Sequence, residues 1–372
     1  MTDPHLRDAP GLVDDARPRG AEALDFTVKR ALIQRVAKSP RLRGLLARKR
    51  ERIRGRRVLP AFAALTALDA YAQRLTGSSP ASATVTERRR LLALGSWAVD
   101  PEPPPGVVGE DRVIASTERH PVSFRLYTPS SVATGASPGL VFFHGGGWCV
   151  GSVATHDVFC RRLALGAACR VASVRYRLAP EHPHPAGLDD ARRGFATLRH
   201  HAHELGIDPH RLGIGGDSAG GHLAAVVANE LRGHADAPSV QLLIYPALDL
   251  TRRFASHRDF ASGYLLTAAQ IDWYLEHFLP ADTPRDRPDV SPFCAPALDG
   301  VCEALVYTAG FDPLCDEGDA YAERLQKSGV RVRSRCFEGH IHGFVNMAGV
   351  ITEAREAVET IAADLRASLH RT

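Results

Sequence analysis

The sequence predicts an α/β fold, with a mostly parallel central sheet and helices on both faces. Three observations lead there. From about residue 106 onward, short β-branched and aliphatic runs alternate with stretches of helical length and periodicity. Glycine-rich strings stand directly after two of those runs. The 372-residue length, with 44% hydrophobic and 24% charged residues, suits one large core and excludes global disorder.

Taken in order, residues 1–57 stand apart by charge. Residues 28–57 hold 13 Lys and Arg against one acid, a local +12, whereas residues 1–27 carry −3. The net +4 of the chain therefore leaves −5 for the remaining 315 residues, so the overall charge says nothing about the body's partners. Leu32, Ile33 and Val36, then Leu42, Leu45 and Leu46, mark two short amphipathic helical pieces broken at Ser39-Pro40. Residues 58–95 read as helical through 61–75 and 86–94, and DPEPPPG at 100–106 reads as a stiff connector. An antiparallel pair is expected at 113–115 and 122–127. Strands follow at 140–143, 171–176, 212–215, 241–245, 304–308 and 330–337. Helices are expected at 157–168, 186–203, 221–232, 317–328 and 352–369. Sites in such sheets gather at the carboxyl ends of the strands.

Several classes are excluded. No period of 20–50 residues repeats, which argues against a solenoid or propeller. The longest apolar candidate, residues 59–72, is broken by Asp69, so no membrane-spanning helix is expected. Seven cysteines form no CxxC pair, and MTDPHLRDAP lacks the basic and apolar regions of a signal peptide. A reduced, cytoplasmic protein with free thiols is expected, with no metal and no cofactor.

The chemistry starts at GDSAG, residues 216–220, which fits G-x-S-x-G between a strand and an apolar helix. Small residues are needed there because the serine sits on a tight, strained turn, which makes Ser218 the candidate nucleophile. Neither G-x-x-x-x-G-K-[ST] nor G-x-G-x-x-G follows this strand, which disfavours nucleotide binding. The string His144-Gly145-Gly146-Gly147-Trp148 directly follows the strand at 140–143. A glycine run lets backbone N–H groups converge. Those of Gly145, Gly146 and Gly147, with Ala219, form the expected oxyanion hole. His144 is read as holding this loop, since it precedes the donors. A serine hydroxyl needs a histidine base, and that histidine needs a carboxylate. The loop after the last strand offers His340 and His342, in the order nucleophile, acid, base. For the acid, Asp312 comes first after its strand; Asp316 and Glu317 are read as opening the next helix, and Asp249 is a separate alternative.

HGGGW and GDSAGG, with YRLAPEHP at 176–183, GYLLT at 263–267, Ser291-Pro292, DPL at 312–314 and HGF at 342–344, carry a family resemblance. The chain resembles the bacterial hormone-sensitive-lipase-like (family IV) carboxylesterases and lipases of the α/β-hydrolase superfamily. The match spans about 138–345; residues 58–137 match loosely and 1–57 not at all. The resemblance implies an α/β-hydrolase fold and a catalytic triad of Ser218, Asp312 and His342. It also implies a helical cap built from residues 58–105 and an insertion at about 250–290 of a hydrolase domain spanning 106–372. Trp148 beside the glycine loop is a candidate substrate contact, as are Tyr264, Leu265, Leu266, Trp273, Tyr274 and Phe278 of the insertion. Arg177, Glu181, Asp189 and Asp190 are expected in ion pairs.

The function expected is hydrolysis of short- to medium-chain acyl esters through an acyl-enzyme. A triglyceride or monoglyceride lipase, an amidase, and a non-catalytic ligand-binding homologue are the alternatives. The partner is a small-molecule ester; nucleic acid is not expected, since no aromatic residue lies among the arginines of 28–57. That segment is read as a solvated extension of the cap or as a contact with an anionic membrane surface, which would make the protein peripheral to the membrane. A homodimer is left open.

Overall fold

The computed structural model describes residues 6–8, 31, 33–36, 39–42, 52–76, 83–99, 102–114, 121–132 and 134–371. The strands are β1 (Leu6–Asp8), β2 (Val107–Ile114), β3 (Val122–Pro129), β4 (Ser137–Phe143), β5 (Arg170–Val174), β6 (Ile207–Asp217), β7 (Val240–Ile244), β8 (Glu303–Phe311) and β9 (Val332–Ile341). The longer helices are α1 (Pro60–Thr76), α2 (Val85–Val99), α3 (Asp157–Ala167), α4 (Ala186–His200), α5 (Ala219–Glu230), α6 (Ala268–Phe278), α7 (Cys315–Lys327) and α8 (Thr352–Leu369). One sheet runs β1-β2-β3-β5-β4-β6-β7-β8-β9, antiparallel through the β3/β5 pair and parallel from β5 to β9. The expected mostly parallel sheet is therefore present.

The near-continuous apolar run of β4 reflects burial on both faces. Successive side chains divide between two cores: Val141 and Phe143 join α4 and α5, and Leu140 and Phe142 join α3 and α8. The sheet is thus held from both sides by the helices that alternate with its strands, and the carboxyl ends of the parallel strands lie along one end of it. Among the described residues no helix is long and apolar enough to cross a membrane.

Three local differences from the expected pattern have identifiable causes. β6 starts at Ile207, where Ser137 pairs with it, well before the expected residue 212. β1 pairs with β2 through Leu6 and Ile114, a strand that three residues of sequence do not announce. The basic segment is helical at 31, 33–36 and 40–42, and the expected break falls at Ser39, whose Oγ accepts the Leu42 N–H at 3.4 Å. Leu32, Leu45 and Leu46 lie outside the described residues.

The end of the basic segment is fastened to the body. Arg54 pairs with Asp259 at 2.6 Å and Asp316 at 2.7 Å, and the Leu59 N–H donates to the Gly339 carbonyl at 2.9 Å. α1 then buries Ala61, Phe62 and Ala64, with the Phe62 ring 5.0 Å from that of His340. α2 is pinned by Arg89, which donates to the Cys149 and Ala179 carbonyls and pairs with Glu181 at 2.7 Å. α6 opens with a capping box between Thr267 and Gln270 and buries Ile271, Leu275 and Phe278.

Truncating Phe142, fully buried on β4, should cost about 3–5 kcal/mol. Denaturant unfolding of Phe142→Ala checks this; a loss well under 1 kcal/mol would contradict the two-faced core.

Candidate active site

β6 ends at Asp217 and α5 begins at Ala219, so Ser218 alone makes the turn, at φ 53° and ψ −118°. A non-glycine residue is strained in that region and persists only where its surroundings over-determine it. Here they do. The Ser218 N–H donates to the Ile244 carbonyl at 2.9 Å, and its own carbonyl accepts from His222 at 3.0 Å and Ala247 at 3.2 Å. The flanking glycines follow from space. A Cβ on Gly220 would stand 1.9 Å from the Phe143 carbonyl oxygen, and one on Gly216 would stand 2.3 Å from the Gly220 carbonyl carbon.

Asp312 and His342 are each the first residue after their strands, β8 and β9. Along most of this parallel pair the register offset is constant, from Ala304 opposite Val332 to Ala309 opposite Phe337. An irregularity then shifts the pairing, so that Phe311 faces Ile341. The two following residues therefore emerge side by side. His342 Nδ1 donates to Asp312 Oδ2 at 2.6 Å, and the Ser218 hydroxyl donates to His342 Nε2 at 2.9 Å. Asp312 is fully buried, and its other oxygen accepts the Leu314 N–H at 2.9 Å. This pattern calls for the Nδ1-protonated tautomer of His342.

The HGGG loop is anchored through the residue before the serine. The Gly145 N–H donates to Asp217 Oδ1 at 2.7 Å, and His156 Nε2 lies 3.1 Å from the same oxygen. Burial pushes the Asp217 carboxyl up, but His156 and the Gly145 N–H outweigh it and hold it below its ordinary value. The expectation that Gly145 contributes to an oxyanion hole is corrected on this ground: its N–H already serves Asp217. The N–H groups of Gly146, Gly147 and Ala219 have no hydrogen-bond partner among the described residues. His144 does hold the loop, donating from Nδ1 to the Gly145 carbonyl at 2.8 Å, while Tyr176 Oη donates to the His144 carbonyl at 2.7 Å.

Trp148 departs from expectation. It is only 5% exposed, stacks on Phe278 at 4.3 Å, and its Nε1 donates to His222 Nδ1 at 3.1 Å. It fastens α6 to the glycine loop instead of facing a substrate. Tyr264 likewise packs on Phe260 and Phe311. Leu265 is 42% exposed, and its Cδ2 would stand 3.8 Å from a Cβ on Gly343, next to His342. Tyr274 lies flat against Gly147, where a Cβ would come within 2.3 Å of its ring. His340 points elsewhere, with Nε2 on the Glu353 carbonyl at 3.1 Å. Asp316 and Glu317 fall in the first turn of α7, and Glu317 is buried against His257 at 2.8 Å. Asp249 pairs with Arg253 at 2.7 Å. Arg177 and Asp190 pair at 2.8 Å, and Asp189 pairs with Arg192 at 2.7 Å. Asp217, His156 and Tyr176 were not singled out from the sequence as loop anchors. The only signal was the position of Asp217 inside GDSAG.

Comparison with known proteins agrees with this geometry. The family of the alpha/beta hydrolase fold matches residues 140–346. The chain is 42% identical to carboxylic ester hydrolase LipN of Mycobacterium tuberculosis over 254 residues, covering 66% of this chain and 67% of that one. It is 37% identical to ethyl acetate hydrolase of Pseudomonas putida over 264 residues, covering 70% and 82%. The solved ester-hydrolase EH1AB1 from the metagenome of Lake Arreo, complexed with a derivative of bipyridine phosphonate, superposes with TM-score 0.80. That match has 38% identity and covers 83% of this chain and 98% of the other. The chain belongs to the α/β-hydrolase fold family. Within that family it is a hormone-sensitive-lipase-like carboxylic ester hydrolase.

The imidazoles around the loop make a pH signature. Burial, with a neighbouring imidazole in each case, drops His144 and His222 to about 3. They stay neutral in the folded protein, whereas unfolded histidines titrate near ~6.5. The unfolded state thus binds more protons below that value, and stability declines as pH falls from there toward 3. Unfolding free energies measured at about pH 7 and pH 5 should differ, with a slope of up to roughly 2–3 kcal/mol per pH unit below about pH 6. A flat profile would show that these two rings are not neutral and buried.

Proposed function

We propose that Ser218, His342 and Asp312 hydrolyse short- to medium-chain carboxylic esters through an acyl-enzyme. The observation that carries this reading is the unbroken relay of 2.9 Å and 2.6 Å hydrogen bonds from a strained serine to a buried carboxylate. On the adjacent loop and helix start stand N–H groups that have no partner among the described residues. Ser218 Oγ attacks the carbonyl carbon as its proton passes to His342 Nε2. Asp312 keeps the ring oriented and stabilises the imidazolium. The developing oxyanion is received by the N–H groups of Gly146, Gly147 and Ala219, each such donor being worth about 2.7–4 kcal/mol. His342 then protonates the departing alkoxide. Water, deprotonated by the same ring, attacks the acyl carbon and releases the acid.

Residues 58–105 and about 250–290 are read as the cap. Arg88 of α2 lies 3.8 Å from the Trp273 ring of α6, and Tyr274 of α6 covers Gly147, which supports the reading. Leu265 is the favoured acyl contact because it is exposed beside His342. The relative named for ethyl acetate supports a short acyl group. A p-nitrophenyl ester series from acetate to palmitate should show its maximum at the short to medium chains. A maximum at palmitate favours the lipase alternative.

Ser218→Ala should lower kcat/KM at least ~10^4-fold, and Asp312→Asn about 10^4-fold, on the best of those esters. Phosphonate labelling of Ser218, absent from the Ser218→Ala chain, gives a second readout. Full turnover by Ser218→Ala would remove the mechanism, and an unlabelled Ser218 would favour a ligand-binding homologue.

The +12 of residues 28–57 supports contact with an anionic surface, although Arg54 is already occupied by the body. Co-sedimentation with anionic vesicles should be lost when residues 1–51 are deleted; undiminished binding removes the membrane reading. A homodimer is supported by the outer edge of β9, which pairs with no strand among the described residues. A monomeric mass by light scattering would count against it.

A further inference from the structure

Apart from the ester site, three side chains of different elements converge. Cys315 opens α7, Asp319 stands one turn further along it, and Cys336 lies on β9 opposite Thr308 of β8. Cys315 Sγ is 3.9 Å from Cys336 Sγ and 3.8 Å from Asp319 Oδ2, and the three ligand atoms all fall within 4.8 Å of one another. We propose that Cys315, Asp319 and Cys336 form a binding site for one borderline-soft divalent cation of the Zn2+ class.

The spacing argues for it. Two thiolates about 2.3 Å from a tetrahedral zinc ion stand about 3.8 Å apart, so the sulfurs are already separated as a bound cation requires. A disulfide needs them at about 2.05 Å and therefore a further approach. The carboxylate is oriented as well: Thr308 Oγ1 donates to Asp319 Oδ1 at 2.8 Å, leaving Oδ2 on the sulfur side. Such outer partners fix the ligand geometry of metal sites. Charge balances too. Two thiolates and a carboxylate carry three negative charges, a divalent cation supplies two positive ones, and Arg56 adds the third. The Arg56 Nη1 lies 3.8 Å from Cys315 Sγ. The sulfur-rich donor set selects against Mg2+ and Ca2+. Cys336 and Asp319 are half-buried, which leaves a path for the ion, whereas Cys315 is buried.

Binding is an exchange without oxidation: one cation enters and the two thiols release their protons. The cation would join the start of α7, three residues after Asp312, to β9, which His342 directly follows. No step of ester hydrolysis passes through it, so the proposal and the reading of Ser218 stand or fall separately.

The test uses the full chain, reduced and stripped with a chelator, titrated with Co2+ alone. Thiolate-to-cobalt charge-transfer absorption should grow, saturate at one equivalent and vanish when Zn2+ is added. Zn2+ should also raise the unfolding temperature of the wild type but not of Cys336→Ser. Thr308→Val, which retains all three ligands, should bind Co2+ about 10–100-fold more weakly, and Asp319→Asn, which removes a ligand's charge, more weakly than Thr308→Val. Circular dichroism establishes that each variant is folded. Absence of the charge-transfer band in the fully reduced wild type would overturn the site, as would a band unchanged in Cys315→Ser and Cys336→Ser. Recovery of a Cys315–Cys336 disulfide under reducing purification would also overturn it.

Discussion

The hydrogen bond from the Gly145 N–H to the buried Asp217 carboxylate joins the two loops on which the chemistry depends. Asp217 precedes Ser218, so a single carboxylate sets the distance between the nucleophile's turn and the glycine loop. It is an expensive anchor, since a buried carboxylate without partners would not stay ionised. Gly145 and His156 hold it in that form, and Tyr245 Oη adds a donor at 3.3 Å. With the first glycine fixed in this way, the N–H groups of the next two have no partner among the described residues.

The covering layer is built on that anchored loop. Tyr274 rests on Gly147, Trp148 stacks on Phe278, and Arg89 grips the carbonyls of Cys149 and Ala179. Each contact comes from α2 or α6 and ends on the backbone or ring of residues 147–179. The aromatic residues beside the site are therefore mostly fasteners. Leu265, exposed next to Gly343, is an apolar side chain left facing outward beside His342.

Charge and cysteine chemistry divide in the same manner. The surplus of positive charge belongs to residues 28–57, and near the end of that segment Arg54 pairs with two carboxylates of the body. Burial pushes Cys149, Cys169 and Cys302 up to about 12, leaving them inert thiols that fill space. Cys336 differs: its sulfur lies 3.9 Å from that of Cys315, in company with a carboxylate and a guanidinium.

By itself the sequence determined the alternation of strands and helices, because periodicity and strand burial are local properties of the chain. It also determined the strained turn at Ser218 and the glycine loop at 144–147, since glycine is required wherever a Cβ would strike backbone. Other features depended on register and on distant packing. The choice of His342 over His340 rests structurally on the shift that sets Phe311 opposite Ile341, and a pairing offset between strands leaves no mark on composition. The loss of Gly145 as an oxyanion donor required knowing where a carboxylate 72 residues away ends up. Trp148 looked available beside its loop until Phe278 and His222 enclosed it. Cys315 and Cys336 are 21 residues apart and fit no metal-binding spacing; only the packing of α7 against β9 brings their sulfurs together. Local conformational demands are written into residue types, whereas contacts across the sheet exist only after the chain has closed on itself.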